Sequence, residues 1–414
     1  MQSFACVLRS ETEDAVNSHY VPRLILRKFA GGDERISVYN VKNGELKENV
    51  PIEKVYAEKG FYNDETEKKL NEKIESKFGS LLSNHILKCD KEVVLSREQL
   101  RLVKKFLLLS VLRSMGSETL VQEEKYFWER VGEQINAKRR SEGVLDEDSF
   151  QPPFQENQIE GEMPFDYWMR TLNVVLDTDG SPDEILKHPN KTYPAHRWSC
   201  IVNAAYLSFW DVPIGKDEFL ITDIGMTSEN EVGWNGQTVH NHKKLDYFIE
   251  LYGKARSEAE QTVLSRHICN TVDFHENFQM FPISSKRMIV LIAPFFKHRY
   301  ERLKQKGTAP SLCELTNLPN ESLFAPNRCY YRLKQTYGQD VNPHPDDRYI
   351  YEVKTLKKNE LLYCNALFLD RIDTHLGFSS LRSVTRSIRF YLRNPYVPRV
   401  DYRPLYKIIQ KRYK

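Results

Sequence analysis

His19-Tyr20-Val21-Pro22-Arg23-Leu24-Ile25-Leu26-Arg27-Lys28-Phe29 is the stretch from which the rest of the chain can be read. Pro22 suits the first turn of a helix, where its missing N–H would have no partner anyway, and Gly31-Gly32 stops that helix. The pattern predicts a short helix from Arg23 to Ala30. Arg23 and Arg27 are four apart and share a face, while His19 precedes the first turn, near unpaired amides and the positive end of the helix dipole. This arrangement suits a phosphate: amides and guanidinium forks hold the oxygens, and an imidazole moves a proton. The same residues also suit a structural role. In that reading His19 and Tyr20 cap a packed helix, and the arginines meet Glu72 or Glu75 of the next helix.

Moving outward, Ile36 to Val41 alternates as a strand, and Lys42-Asn43-Gly44 signals a hairpin into a second strand, Leu46 to Val50. Leu70, Ile74, Phe78, Leu81 and Leu82 recur at helical spacing and predict an amphipathic helix over Asp64 to Lys88. Ser96 and Gln99 form a capping box for a longer helix, which the pattern allows to extend to Arg140. Gln151 to Pro164 is polar, proline-bearing and without period, which reads as a linker or mobile loop. Beyond it the pattern predicts a helix over Phe165 to Leu176 and strands over Trp198 to Trp210, Glu218 to Thr222 and Met288 to Ile292. It also predicts a helix near Lys243 to Cys269, a strand over Tyr349 to Val353, and helices over Lys358 to Leu376 and Ser380 to Leu392 joined at Gly377.

The expected class is therefore α+β: a helix-rich two-lobed unit with a small N-terminal hairpin and a central mixed or antiparallel sheet. The expected layout is a flexible 1–16, a lobe over 17–140, a linker or mobile loop at 141–164, an α+β lobe over 165–394 and a basic aromatic tail at 395–414.

Across all 414 residues, 40% apolar and 12% aromatic content supplies a core and excludes wholesale disorder. A mean hydropathy of -0.57 and the lack of an apolar run near membrane length exclude a spanning helix. The start, Phe4 to Leu8, is too short for a signal-peptide core and is followed by Glu11, Glu13 and Asp14, so a cytoplasmic protein is expected. Seven cysteines with no Cys-x-x-Cys pair fit buried thiols in a reducing compartment and give zinc ribbons and thioredoxin-type redox sites no support. The net charge of +3 hides an asymmetry. Arg382 to Lys414 holds ten bases and one acid, Asp401, whereas the preceding residues hold 50 bases and 56 acids. Such a tail suggests an anionic partner or an embrace of the acidic body.

The string from His19 to Phe29 resembles the opening signature of a broad family catalogued as domain of unknown function 4238, His-Tyr-x-Pro-x-x-x-Leu-Arg-x-Phe. Members continue with a strand pair, an acidic helix, a long helix bearing an Arg, a strand ending in Ser-Asp-Asn-Pro and a Pro-Leu-Ser element. The corresponding positions are Glu75, Arg113, Phe219-Leu220-Ile221-Thr222-Asp223 and Phe281-Pro282-Ile283-Ser284. The order fits over Asn17 to Arg393, and the one departure is Ile224-Gly225 in place of Asn-Pro. The resemblance implies a shared fold and supplies no reaction.

Site candidates follow from residue chemistry. Asp223, just past an apolar strand, is placed for metal ligation or general-base work and equally for capping a turn. With Glu75 it could hold Mg²⁺ or Mn²⁺ for water activation, with His19 shuttling a proton and Arg23, Arg27 and Arg113 binding the anion. Alternatively, Arg113 forms a buried pair with a glutamate that ties the long helices together. Arg382, Arg386, Arg389 and Arg393 step along one helix face amid Phe390, Tyr391, Tyr396, Tyr402 and Tyr406, which fits backbone contacts with base stacking, or plain core packing for the aromatics.

Three further patterns carry little. Pro345-Asp346-Asp347 with Glu352-Val353-Lys354 imitates a nuclease pattern but leaves no room for a strand reversal, and His240-Asn241-His242 lacks neighbouring ligands for zinc. Ser284 and Lys286 in Ser284-Ser285-Lys286 imitate a Ser/Lys dyad, and no hydrolase elbow, phosphate loop or dinucleotide fingerprint is present. The leading expectation is a nucleic-acid-directed phosphodiesterase or nuclease, possible as a defence or toxin effector. The alternatives are a non-catalytic nucleic-acid- or protein-binding sensor module, and an enzyme acting on a small anionic nucleotide.

Overall fold

The computed structural model describes residues 17–30, 32–121, 132–133, 135–137, 140–141, 159–213, 215, 217–230, 277–292, 328–330, 347–393 and 400–412. The expected flexible 1–16, the helix over Lys243 to Cys269, His240 and His242, Pro345-Asp346 and Tyr396 all lie outside the described residues.

The chain enters as β1 (Asn17–His19) and turns at Pro22 into α1 (Arg23–Leu26), a single helical turn. Val21, Ile25, Leu26 and Phe29 are buried, so packing rather than helix length fixes this segment. The expected hairpin forms as β2 (Arg35–Asn40) and β3 (Leu46–Pro51). The side-chain oxygen of Asn40 shapes its turn by accepting from the N–H groups of Lys42 and Asn43. The chain then returns as β4 (Ala57–Lys59) to pair with β1.

Asn63 caps α2 (Asp64–Lys69), which continues through a π-type stretch, Leu70–Glu75, into α3 (Ser76–Asn84). A strand not expected from the sequence, β5 (Glu92–Ser96), precedes α4 (Arg97–Met115), whose capping box of Ser96 and Gln99 is formed as expected. This helix does not run unbroken to Arg140: it stops at Met115, where Gly116 takes a positive φ of 70° that ends the helical path, and the described residues 117–121, 132–133, 135–137 and 140–141 are helical again beyond that break.

Three helices follow, α5 (Pro164–Asp177), α6 (Pro182–Lys187) and α7 (Tyr193–Ala204), and then β6 (Tyr206–Asp211). Reading Trp198 to Trp210 as one strand is corrected here. Thr192 caps a helix with Pro194 in its first turn, and only the end of the apolar run pairs as a strand. An apolar run by itself does not separate a buried helix from a buried strand.

The remaining elements are β7 (Ile221–Thr222), β8 (Thr227–Asn230), β9 (Asn277–Pro282), β10 (Arg287–Ile292), β11 (Arg328–Tyr330), β12 (Arg348–Thr355), α8 (Lys358–Asp370), β13 (His375–Phe378), α9 (Leu381–Leu392) and α10 (Arg403–Arg412). The two helices expected to meet at Gly377 are instead separated by β13. A Cβ at Gly377 would lie 2.6 Å from the Tyr56 hydroxyl and 2.9 Å from Ile221, so close strand packing requires the glycine. The Glu218 to Thr222 strand shortens to β7 because Glu218 is committed to side-chain and loop contacts.

The class is α+β. One sheet runs β11-β12-β6-β10-β9-β8, with β5 also on β12, and mixes a parallel β12/β6 pair with antiparallel neighbours. A second runs β3-β2-β13-β7, so the hairpin is completed by strands from more than 160 residues later in the chain. This second sheet stands between two cores. Ile36, Val38 and Ile221 face the larger one, whereas Tyr39, Leu376 and Phe378 face a smaller one closed by α9 and α10. Among the described residues, no helix is long and apolar enough to cross a membrane.

Candidate functional site

The signature residues meet at a buried arginine. Arg113, on α4 and 5% exposed, donates from Nε to the Tyr62 hydroxyl at 2.6 Å, from Nη1 to Glu75 at 2.7 Å and from Nη2 to the His19 carbonyl at 2.5 Å. A guanidinium is stable at such depth only when its donors are matched in this way. Of the two roles open to Arg113, the geometry takes the structural one: it ties α4 to the acidic helix and to the end of β1.

The His19 ring turns the other way and its Nε2 lies 3.3 Å from the Ile52 carbonyl, so that nitrogen carries the donated proton. Burial lowers its pKa and holds it neutral. Arg23 reaches Glu53 at 3.2 Å and Arg27 reaches Glu34 at 3.0 Å, both partly in solvent. Their partners are therefore not Glu72 or Glu75, and α1 is a single turn. No phosphate cradle is assembled by His19, Arg23 and Arg27.

Asp223 is held just past β7 by a turn in which the Gly225 N–H donates to the Thr222 carbonyl. Gly225 has a φ of 71°, unreachable for a proline, and a Cβ there would sit 3.3 Å from Val21 of the signature. The departure from Asn-Pro thus gives this turn its own geometry against the opening string. The Asp223 carboxylate accepts from the backbone N–H groups of Asp373, Thr374 and His375 at 3.3, 2.6 and 2.8 Å. Burial pushes its pKa up to about 6, and those same amides restrain the rise. Its first task is to pin the loop entering β13.

Asp223 and Arg113 do line one cleft of about 200 Å³, together with Tyr20, Phe61, Asp373 and His375. His19 and Glu75 do not line it. Glu75 and Asp223 therefore face different surroundings, and among the described residues no group of three or more His, Cys, Asp and Glu could hold a metal. The arrangement gives the Glu75/Asp223 metal pair no support.

His375 was missed by sequence reasoning, since Asp373-Thr374-His375 has no motif spacing and lies far in sequence from the signature. Asn40 turns its oxygen to the Lys42 and Asn43 amides, leaving its NH₂ to face His375 Nε2 at 3.2 Å. That assigns the ring proton to Nδ1, and burial together with nearby Lys42 lowers its pKa. Glu218 was also missed. This buried acid accepts from Ser379 and Ser380 at the start of α9, satisfying donors that open the helix. The discounted Ser284 spends its hydroxyl on the Lys286 and Arg287 amides, and Asp347 is bound by Arg97.

The second region of interest is the carboxy-terminal helix pair. Arg382, Arg386, Arg389 and Arg393 fall within an arc of about 60° on α9, and Arg403, Lys407 and Lys411 within about 80° on α10. The opposite faces carry Val384, Ile388, Tyr391, Tyr402, Leu405 and Ile409 into the smaller core. Tyr391 and Tyr402 are thus core residues. Arg386 is bound by Asp217 of the body, and Arg389 bonds the Tyr406 hydroxyl, joining the two helices. Arg382, Arg389, Arg393, Lys407 and Lys411 are exposed, and among the described residues none of them pairs with a carboxylate.

Fold and site together define an α+β protein with a buried arginine centre bordering a polar cleft, and a basic outer ridge. The profile of the family described as protein of unknown function (DUF4238) matches residues 17–371, and the chain belongs to that family. No curated protein and no solved structure matches it.

Proposed function

We propose that the chain is a non-catalytic nucleic-acid-binding sensor module that contacts the phosphate backbone through the outer faces of α9 and α10. The observation that carries this reading is the ridge itself: five exposed cations without described carboxylate partners on two helices whose other faces are packed. Exposed Lys and Arg in register with phosphates gain affinity by releasing counterions, independent of base sequence. Among the described residues, the alternative for the tail, an embrace of the acidic body, accounts for Arg386 alone.

Nuclease or phosphodiesterase action has weaker support, because His19, Glu75 and Arg113 are occupied by internal contacts. The test is binding of single- and double-stranded RNA and DNA at rising salt, with and without Mg²⁺ or Mn²⁺. Binding that weakens steeply with salt, with the nucleic acid intact, is expected. A complex indifferent to salt would point to a protein partner instead. Cleavage that is lost in Asp223→Ala would restore the nuclease reading.

A further inference from the structure

Beside the Asp223 cleft lies a second cavity of about 230 Å³, and Tyr20 and His375 line both. The two lobes differ in charge. In the first, Glu58, Asp223 and Asp373 face Lys42 and Arg113. Lys42 is held by Asp373 at 3.3 Å and Arg113 by Glu75, so the free charge there is negative. Its walls include the rings of Tyr20 and Phe61, with centroids 5.2 Å apart. In the second lobe Lys47 is held by Glu45 at 3.2 Å, and Lys54 is exposed with no described acid paired to it, so the free charge is positive.

An aromatic wall with carboxylates favours an ammonium group, and a lysine lobe favours a carboxylate. Between them, His375 offers a fixed Nδ1–H and Tyr20 a phenol that burial keeps protonated. We infer that the two lobes form one site for a small zwitterion, a free amino acid or dipeptide, with its ammonium beside Glu58 and Asp223 and its carboxylate beside Lys54. The joint volume suits such a ligand rather than a polymer. This site is separate from the α9–α10 ridge and stands independently of nucleic-acid binding.

The full chain is tested by thermal shift and calorimetry against free amino acids and dipeptides at about 5 mM, with N-acetylated and C-amidated counterparts. The expected result is a rise in melting temperature for free zwitterions that is lost when either end is capped. Glu58→Gln and Lys54→Gln change exposed side chains that the fold does not need, and each should weaken zwitterion binding by about tenfold. No shift with any free zwitterion overturns the inference. So does equal binding of capped and free forms, or affinity unchanged in both variants.

Discussion

Arg113 and Arg389 are the same residue in opposite circumstances. Around Arg113, guanidinium, carboxylate, phenol and backbone carbonyl close on one another, so that Nε, Nη1 and Nη2 each have an acceptor inside the fold even though the residue borders the Asp223 cleft. On α9, the apolar face is committed to the core while the arginine face meets water, apart from Arg386, bound by Asp217, and Arg389, bonded to one tyrosine hydroxyl. A residue inside a motif is thus not thereby functional. What decides is whether its hydrogen-bonding capacity is spent within the fold.

The sharpest way to break this contrast is Arg113→Ala. It leaves Glu75 without its cation and the buried His19 carbonyl and Tyr62 hydroxyl without a donor, at an expected cost of about 3–5 kcal/mol. Thermal or urea unfolding should show it, and Arg113→Lys should not restore it, because one ammonium cannot reproduce a planar fork. A variant of wild-type stability would remove the structural role given to this centre.

The ridge should behave in the opposite way. Replacing Arg382, Arg389, Arg393 and Lys407 together by Gln should lower nucleic-acid affinity by roughly 10–100-fold near 0.1 M salt. It should also flatten the dependence of log affinity on log salt, by about one unit for each phosphate that is no longer neutralised. Melting temperature should hardly move. Loss of stability with unchanged binding would reverse the comparison.

Asp223 supplies a test by pH. Its folded pKa, about 6, lies above the ordinary carboxylate value of 3.8. The native state therefore binds the extra proton, and Asp223's contribution to stability declines as pH rises from about 4 through 6. Asp223→Asn cannot ionise, so its stability relative to wild type should improve over that interval by on the order of 1–2 kcal/mol. Urea midpoints at several pH values would measure this, and a constant difference would contradict the assigned burial.

The smallest effect is expected at the signature arginines. Arg23→Ala and Arg27→Ala each break an exposed ion pair and should cost under about 1 kcal/mol, with nucleic-acid binding unchanged. A large loss of binding in either would revive the anion cradle.

Much of the fold was legible in local pattern. The hairpin, the Ser96 capping box, the amphipathic stretches and the family order from Asn17 onward are carried by spacing of a few residues, where backbone geometry and burial leave one reading. The run from Trp198 to Trp210 and the segment through Gly377 were misread for a shared reason. Their states are set by partners distant in sequence: Lys104 reaches the Asn203 and Ala205 carbonyls at the end of α7, and Tyr56 presses on Gly377.

By itself the sequence determined the α+β class, the signature, the body-and-tail charge split and the stripe of arginines on α9, because composition and helical period are properties of the chain alone. Only the tertiary structure decided which charges are free. Arg113 and Glu75 cancel because α4 packs on the acidic helix, and His375 lines the same cavities as Tyr20 because β13 completes a sheet begun by β2. The basic tail splits between Asp217 and solvent because its apolar face is turned inward. Hydrogen-bond satisfaction depends on neighbours in space, and those neighbours lie tens to hundreds of residues apart in the chain.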